Sequence, residues 1–203
     1  MDSGKQVTQY LDELAQVLVD LRVTAPFHML IAGGAYMMLQ EKRRSTEDID
    51  FAIVELEHPQ IKASKNQAFR VTVKNVEVAR NTVPYAEEFK QAVAIVARRH
   101  ANLPDDWLND EAAVYYYDDA PLAEVTYWRS CKNILYLYLP TMEYMLATKI
   151  AAYRQKDAHD IQILIDELQL RTHEQAKAIV DKFLLPDAQE FWEVAEKLEI
   201  LFP

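Results

Sequence analysis

The residues with most chemical potential in this chain are two aspartates, Asp48 and Asp50, in its only Asp-x-Asp. Ile49, Phe51, Ala52, Ile53 and Val54 around them read as a buried type of strand. Residues i and i+2 of a strand point to one face, roughly 6.6 Å apart at their Cα atoms. Two carboxylates so placed can hold one Mg²⁺, or two ions about 4 Å apart, as in two-metal phosphoryl transfer. Upstream stands Gly33-Gly34, two of only 3 glycines in the chain. A glycine pair lets the backbone turn tightly and approach a ligand closely. A helix starting there would aim free N–H groups and a positive dipole end at that spot, which suits a phosphate.

These groups need a strand, a turn, a helix and a second strand. Phe27 to Ala32 is an apolar run of strand length. Ala35 to about Lys42, with Tyr36, Met37, Met38 and Leu39, reads as a short buried helix, its methionines there for packing. Lys42, Arg43 and Arg44 form a basic loop before the aspartates.

The remaining chain supplies cover. Val7, Leu11, Leu14, Leu18 and Leu21 give residues 5–23 one apolar stripe of helical period. Residues 55–83 read as an insertion. Phe69, Val71, Val73, Val76 and Val78 alternate with polar neighbours, a hairpin broken at Lys74-Asn75. A helix is expected over 84–101, then a turn at Leu103-Pro104 with Trp107 as a packing anchor. Tyr115, Tyr116 and Tyr117 precede a turn at Asp118-Asp119. Strands follow at 122–128 and 134–139, joined by Arg129 to Asn133.

Thr141 opens a helix to about Gln155 with Lys149 in its apolar stripe. Lys149 either snorkels to the rim or reaches a ligand's phosphates. Asp157 reads as the N-cap of the next helix, with Asp160 near its positive end. Thr172-His173-Glu174-Gln175 spells a capping box, and Pro186 starts a last helix. The expectation is an α/β (α+β) protein: a small mixed sheet flanked by helices over 1–139, with an inserted hairpin at about 60–82, and a C-terminal helical bundle over 140–203.

Composition narrows the function classes. The chain has 203 residues, half of them hydrophobic, enough for one domain or a core with a smaller appendage. One cysteine, Cys131, excludes an internal disulfide framework and fits a reducing compartment. The polar start lacks the apolar region of a signal peptide, and no apolar run approaches the ~20 residues that span a membrane. A cytoplasmic location is the expectation. A net charge of −10 argues against strong non-specific nucleic-acid binding, which draws on Lys and Arg. Arg98, Arg99 and His100 form a second basic cluster that reads as a solvated helix end.

The run from Phe27 to Val54, with Gly33-Gly34 and Arg43-Arg44-Ser45-Thr46-Glu47-Asp48-Ile49-Asp50, resembles the DNA polymerase beta-like nucleotidyltransferase superfamily. Its spelling is similar to the bacterial branch that includes AbiEii-type toxin nucleotidyltransferases and an uncharacterised relative family. Leu103-Pro104-Asp105-Asp106-Trp107-Leu108-Asn109-Asp110 is a second point of likeness. Leu146, Lys149 and Ala152, followed by Asp157 and Asp160, are a third, with Lys156 where the family carries Arg.

The resemblance implies transfer of a nucleoside monophosphate from an NTP to a hydroxyl of an RNA, protein or small-molecule acceptor, in a toxin–antitoxin or phage-defence setting. Asp48 and Asp50 would hold Mg²⁺ or Mn²⁺. Gly33, Gly34, Arg44, Thr46 and Lys149 would bind the nucleotide. An antitoxin-like protein is an implied partner. The superfamily's third carboxylate falls by chain order on Glu124, with Glu77 second. Without one, the chain would be a degenerate member acting by nucleotide binding or protein contacts.

Overall fold

A computed structural model describes residues 1–56, 67–74, 85–110 and 123–203. Val76, Glu77 and Val78, the tyrosines 115–117 and Leu122 lie outside the described residues. The described chain is mixed α and β, with eight α-helices and a six-stranded sheet.

The strands are β1 (Phe27–Ile31), β2 (Ile49–Leu56), β3 (Ala68–Lys74), β4 (Leu108–Asn109), β5 (Ala123–Cys131) and β6 (Leu135–Pro140). β1 runs parallel to β6 and antiparallel to β2. β2 pairs antiparallel with β3, β3 with β5, and β5 with β6. These five strands therefore form a circuit, each with partners on both sides, and β4 is appended parallel to the start of β2. The segment read as an insertion instead supplies β3, between β2 and β5. Its alternation is real: Phe69, Val71 and Val73 are buried and Arg70 is exposed. Alternation marks a half-buried strand but not its place in the sheet. The β5–β6 hairpin turns at Lys132 and Asn133, with φ of 53° and 55°, the left-handed pair that two-residue hairpins prefer.

The helices are α1 (Gly4–Asp20), α2 (Gly33–Leu39), α3 (Ala86–Arg99), α4 (Met142–Ala152), α5 (Ala158–Glu167), α6 (His173–Phe183), α7 (Pro186–Phe191) and α8 (Val194–Leu201). One core holds α1, α3 and Trp107 against Met29, Ile31, Phe51 and Leu137. A second holds α4, α5, α6 and α8 against Leu30, Ala52, Val71 and Val125. Residues 144–151 of α4 are buried without interruption, as expected of a helix enclosed on all sides. The expected last helix is two, broken where Glu193 takes φ of 49°. The capping box at α6 forms: Thr172 accepts from the Gln175 backbone, and the Gln175 side chain accepts from the Thr172 backbone. Thr172→Ala should lower stability by about 1 kcal/mol, which thermal melting resolves as a Tm drop of ~2–4 °C. No helix among the described residues is long and apolar enough to cross a membrane.

Candidate functional site

β1 delivers the chain into α2, and Gly33 and Gly34 are the first two residues of that helix rather than a linker before it. Gly33 takes φ of +58°, a left-handed conformation. A Cβ there would lie 1.7 Å from Asp50 Oδ2, so the aspartate packs directly on the glycine backbone. A Cβ on Gly34 would lie 2.4 Å from Thr46 Oγ1. The glycine pair thus makes room for Asp50 and for Thr46 beside it.

Asp50 stands on β2 and is 6% exposed. Its backbone carbonyl accepts from Ala32, which fixes β1 against it. Its carboxylate accepts no hydrogen bond from any described residue. Burial, and then the charge of Asp48, push its pKa above the ordinary carboxylate value, against the pull of Arg154, Lys156 and Lys149. Asp48, just before the strand, is half-buried. Among the described residues its carboxylate oxygens meet Thr46 Oγ1 and Asn109 Nδ2, each at a long 3.5 Å. Asn109 comes from β4, whose register sets Leu108 and Asn109 beside Ile49 and Asp50. Trp107 anchors that segment, fully buried, its indole N–H donating to the Val93 carbonyl at 3.1 Å. The Leu103–Asp110 string therefore braces the aspartate pair.

The pair opens into a cleft of about 350 Å³ whose charged lining is Asp48 and Asp50, three further carboxylates at Asp2, Glu47 and Asp157, and the cations Arg43, Arg154 and Lys156. Carboxylates and cations meet there, an arrangement suited to an anion that arrives with a divalent cation. Asp50 provides the test of fit for a metal. With no donor among the described residues, the Asp50 carboxylate is met only by the solvent of the cleft, so a cation that reaches it there is favoured, and hard oxygen donors suit Mg²⁺ or Mn²⁺. Asp48 and Asp50 fit as two ligands. No group of three or more metal-ligating side chains exists among the described residues.

The other expected residues divide. Thr46 is buried beside the pair, and its hydroxyl donates to the Asp48 carbonyl at 3.1 Å. It shapes the loop. Arg44 is exposed and does not line the cleft, whereas Arg43 does. Glu124 is not brought to the aspartates. It is exposed, opposite Arg70, where Val71 of β3 joins Ala123 to Leu56 of β2. Leu56 lies six residues beyond Asp50 on β2, about 20 Å along the strand. The antiparallel register puts Glu124 at the wrong end of the sheet, which chain order cannot reveal. Glu77 lies outside the described residues.

Lys149 neither snorkels nor reaches the cleft. Its ammonium meets Asp157 Oδ1 at 2.8 Å and Asp160 Oδ2 at 2.9 Å, all three side chains being at most 5% exposed. The enclosed helix leaves it no route to water, so carboxylates must meet it. Asp157 occupies the N-cap position of α5 but its side chain does not cap. Burial works against the Asp157 charge, yet Arg154 and Lys149 hold its pKa below the ordinary value. Arg154 donates to Asp157 at 2.7 Å, and Arg43 to Asp160 at 3.1 Å. Cys131 is buried, and burial first of all pushes its thiol up to about 12, leaving it inert.

Sequence reasoning missed Arg154 and Lys156 as cleft residues. Their closeness to Asp157 in sequence was the available signal. A comparison with known protein families, curated proteins and solved structures finds no match for this chain.

Proposed function

We propose that the cleft binds a nucleoside triphosphate through a divalent metal and transfers its nucleoside monophosphate to a hydroxyl, as in the polymerase beta-like nucleotidyltransferases that the motifs resemble. The observation that carries this reading is Asp50: a buried carboxylate with no donor among the described residues, beside Asp48, in a cleft whose lining also carries Asp2, Glu47 and Asp157 and the cations Arg43, Arg154 and Lys156. Asp48 and Asp50 would hold Mg²⁺, which would supply charge neutralisation for the triphosphate and a lower pKa for the attacking hydroxyl. Arg43, Arg154 and Lys156 offset phosphate charge, and Gly34 leaves backbone room at the cleft wall. Lys156 is exposed and pairs with no carboxylate among the described residues, so it is free to meet an incoming anion. In the transfer, the acceptor oxygen bonds to the α-phosphorus and the α–β bridging bond breaks. Pyrophosphate leaves, and the hydroxyl proton passes to a cleft carboxylate or to solvent.

One observation favours a second reading. The described residues include no third metal-ligating group beside Asp48 and Asp50. A site with two ligands would bind a metal–nucleotide complex without turnover, and the chain would then act as a nucleotide-binding or protein-contact module.

Calorimetry with each NTP, with and without Mg²⁺, tests both. Wild type should bind at least one NTP only with Mg²⁺, and Asp50→Asn should abolish that dependence. Release of pyrophosphate with candidate acceptors separates transfer from binding alone. No Mg²⁺-dependent NTP binding by folded wild type would sink the enzyme reading. The same variant has an opposite effect on stability. A carboxylate whose folded pKa is raised opposes folding once pH exceeds its unfolded value, and that opposition reaches full strength above its folded value. Asp50→Asn should therefore raise Tm at neutral pH in the absence of metal, by ~2–4 °C for each kcal/mol relieved. The gain should vanish below the ordinary carboxylate range, where both chains are neutral at this position.

A further inference from the structure

The two arginines of the cleft come from distant parts of the chain. Arg43 belongs to the loop after α2, and Arg154 to the link between α4 and α5. Both end on one buried bridge, Asp157–Lys149–Asp160, in which Asp157 takes Arg154 and Asp160 takes Arg43. Lys149 and Arg43 meet the same oxygen, Asp160 Oδ2, at 2.9 and 3.1 Å. Three cations against two aspartates leave this bridge with a net charge of +1, and its two ends face the cleft. Arg43 is pinned again at its other edge, where Nε donates to the Ser45 carbonyl at 2.7 Å. Lys42, next in the chain, pairs with Glu167 at the far end of α5. The loop that carries Asp48 is thereby tied to α5 at both ends of that helix.

From this geometry we infer that Asp160 is a positioning residue: through Arg43 it sets the spacing of the cleft's anion-binding cations, although it does not line the cleft itself. The inference draws on the proposed function only for the class of anion, a polyphosphate. It rests otherwise on the ion pairs. An arginine fork held at two edges loses little freedom when it meets a phosphate, and that preorganisation raises affinity. Without Asp160 the Arg43 side chain, about a third exposed, can turn to solvent.

The sign of the effect distinguishes positioning from simple electrostatics. Removing a negative charge near an anion site should tighten anion binding if charge alone mattered. Loss of an oriented, charge-assisted contact should weaken it more strongly. The probe is inorganic tripolyphosphate in EDTA, titrated into the full chain by calorimetry, which reports the cations without metal or nucleotide. Wild type should bind it, and Asp160→Asn should raise Kd by roughly tenfold, as should Arg43→Gln. The double variant should be no weaker than either single one, because both remove the same contact. Lys177→Gln, which removes a cation paired with Asp181 on α6, should bind as wild type does.

Unchanged or tighter binding by Asp160→Asn would overturn the inference. So would additive losses, an equal loss in Lys177→Gln, or no tripolyphosphate binding by wild type. If Asp160→Asn does not fold, Asp160→Glu carries the test, since it keeps the charge but shifts the carboxylate that holds Arg43, and unchanged or tighter binding there overturns the inference equally. Failure here leaves the Mg²⁺ and NTP measurement on Asp50→Asn untouched, so the two readings fail separately.

Discussion

Lys149→Met should destabilise the protein by about 3–5 kcal/mol, because it leaves two buried carboxylates without the cation between them. That corresponds to a Tm drop on the order of 10 °C. Methionine nearly matches lysine in volume, so the loss would report charge and not a cavity. The pH dependence carries the diagnosis. In wild type the Asp157 pKa is held low, so its stabilising contribution is present above the unfolded value and is lost as pH falls through the folded one. In Lys149→Met, Asp157 loses one of the charges that lower its pKa and keeps Arg154. Acidification should therefore narrow the gap in Tm between variant and wild type. A variant that melted like wild type and lost only nucleotide affinity would instead place Lys149 at the ligand, against the buried geometry.

Gly33→Ala should lower stability by about 2–4 kcal/mol and abolish Mg²⁺-dependent nucleotide binding. Two effects combine. A left-handed backbone costs a side-chain residue roughly 1–2 kcal/mol, and Gly33 sits at φ +58°. The new methyl would also press on the Asp50 carboxylate, at 1.7 Å from Oδ2 and 2.6 Å from Cγ. Asp50 cannot swing away freely, because β1 and β4 flank it on the strand. Chemical denaturation of four chains checks this: wild type, Gly33→Ala, Asp50→Ala and the double variant. With the carboxylate removed, the added methyl should cost only the backbone share of about 1–2 kcal/mol. An effect of Gly33→Ala as large in the Asp50→Ala background would refute the steric account.

The aspartate pair was legible in the sequence because its evidence is local. Two carboxylates two residues apart at the start of an apolar strand, preceded by a glycine pair, define a small neighbourhood with no need of the fold. Glu124 was misplaced because its location depends on register across β5, β3 and β2, which no local pattern encodes. β3 was read as an insertion for the same reason. Its Phe69, Val71 and Val73 alternate as an edge hairpin would, yet it lies inside the sheet. Lys149 shows a different limit. Two readings were open, and both assumed that one side of its helix faced water. The unbroken buried run from 144 to 151 removes that side, and the partners eight and eleven residues later close the circuit. Of the basic loop, Arg43 lines the cleft and Arg44 does not, a difference of one residue that loop geometry decides.

The strand circuit also bears on when the molecule can come into being. β1, at residues 27–31, must pair with β6, at 135–140, across more than a hundred residues of chain. Pairings so distant in sequence close late, because the entropy of a long loop must be overcome before its contacts reward it. Arg43 then waits for Asp160, further on still. On a ribosome, which delivers the N-terminal part first, the aspartate strand emerges long before the residues that frame it. A nascent chain would carry both carboxylates and no finished cleft until Asp160, 117 residues after Arg43, had been made.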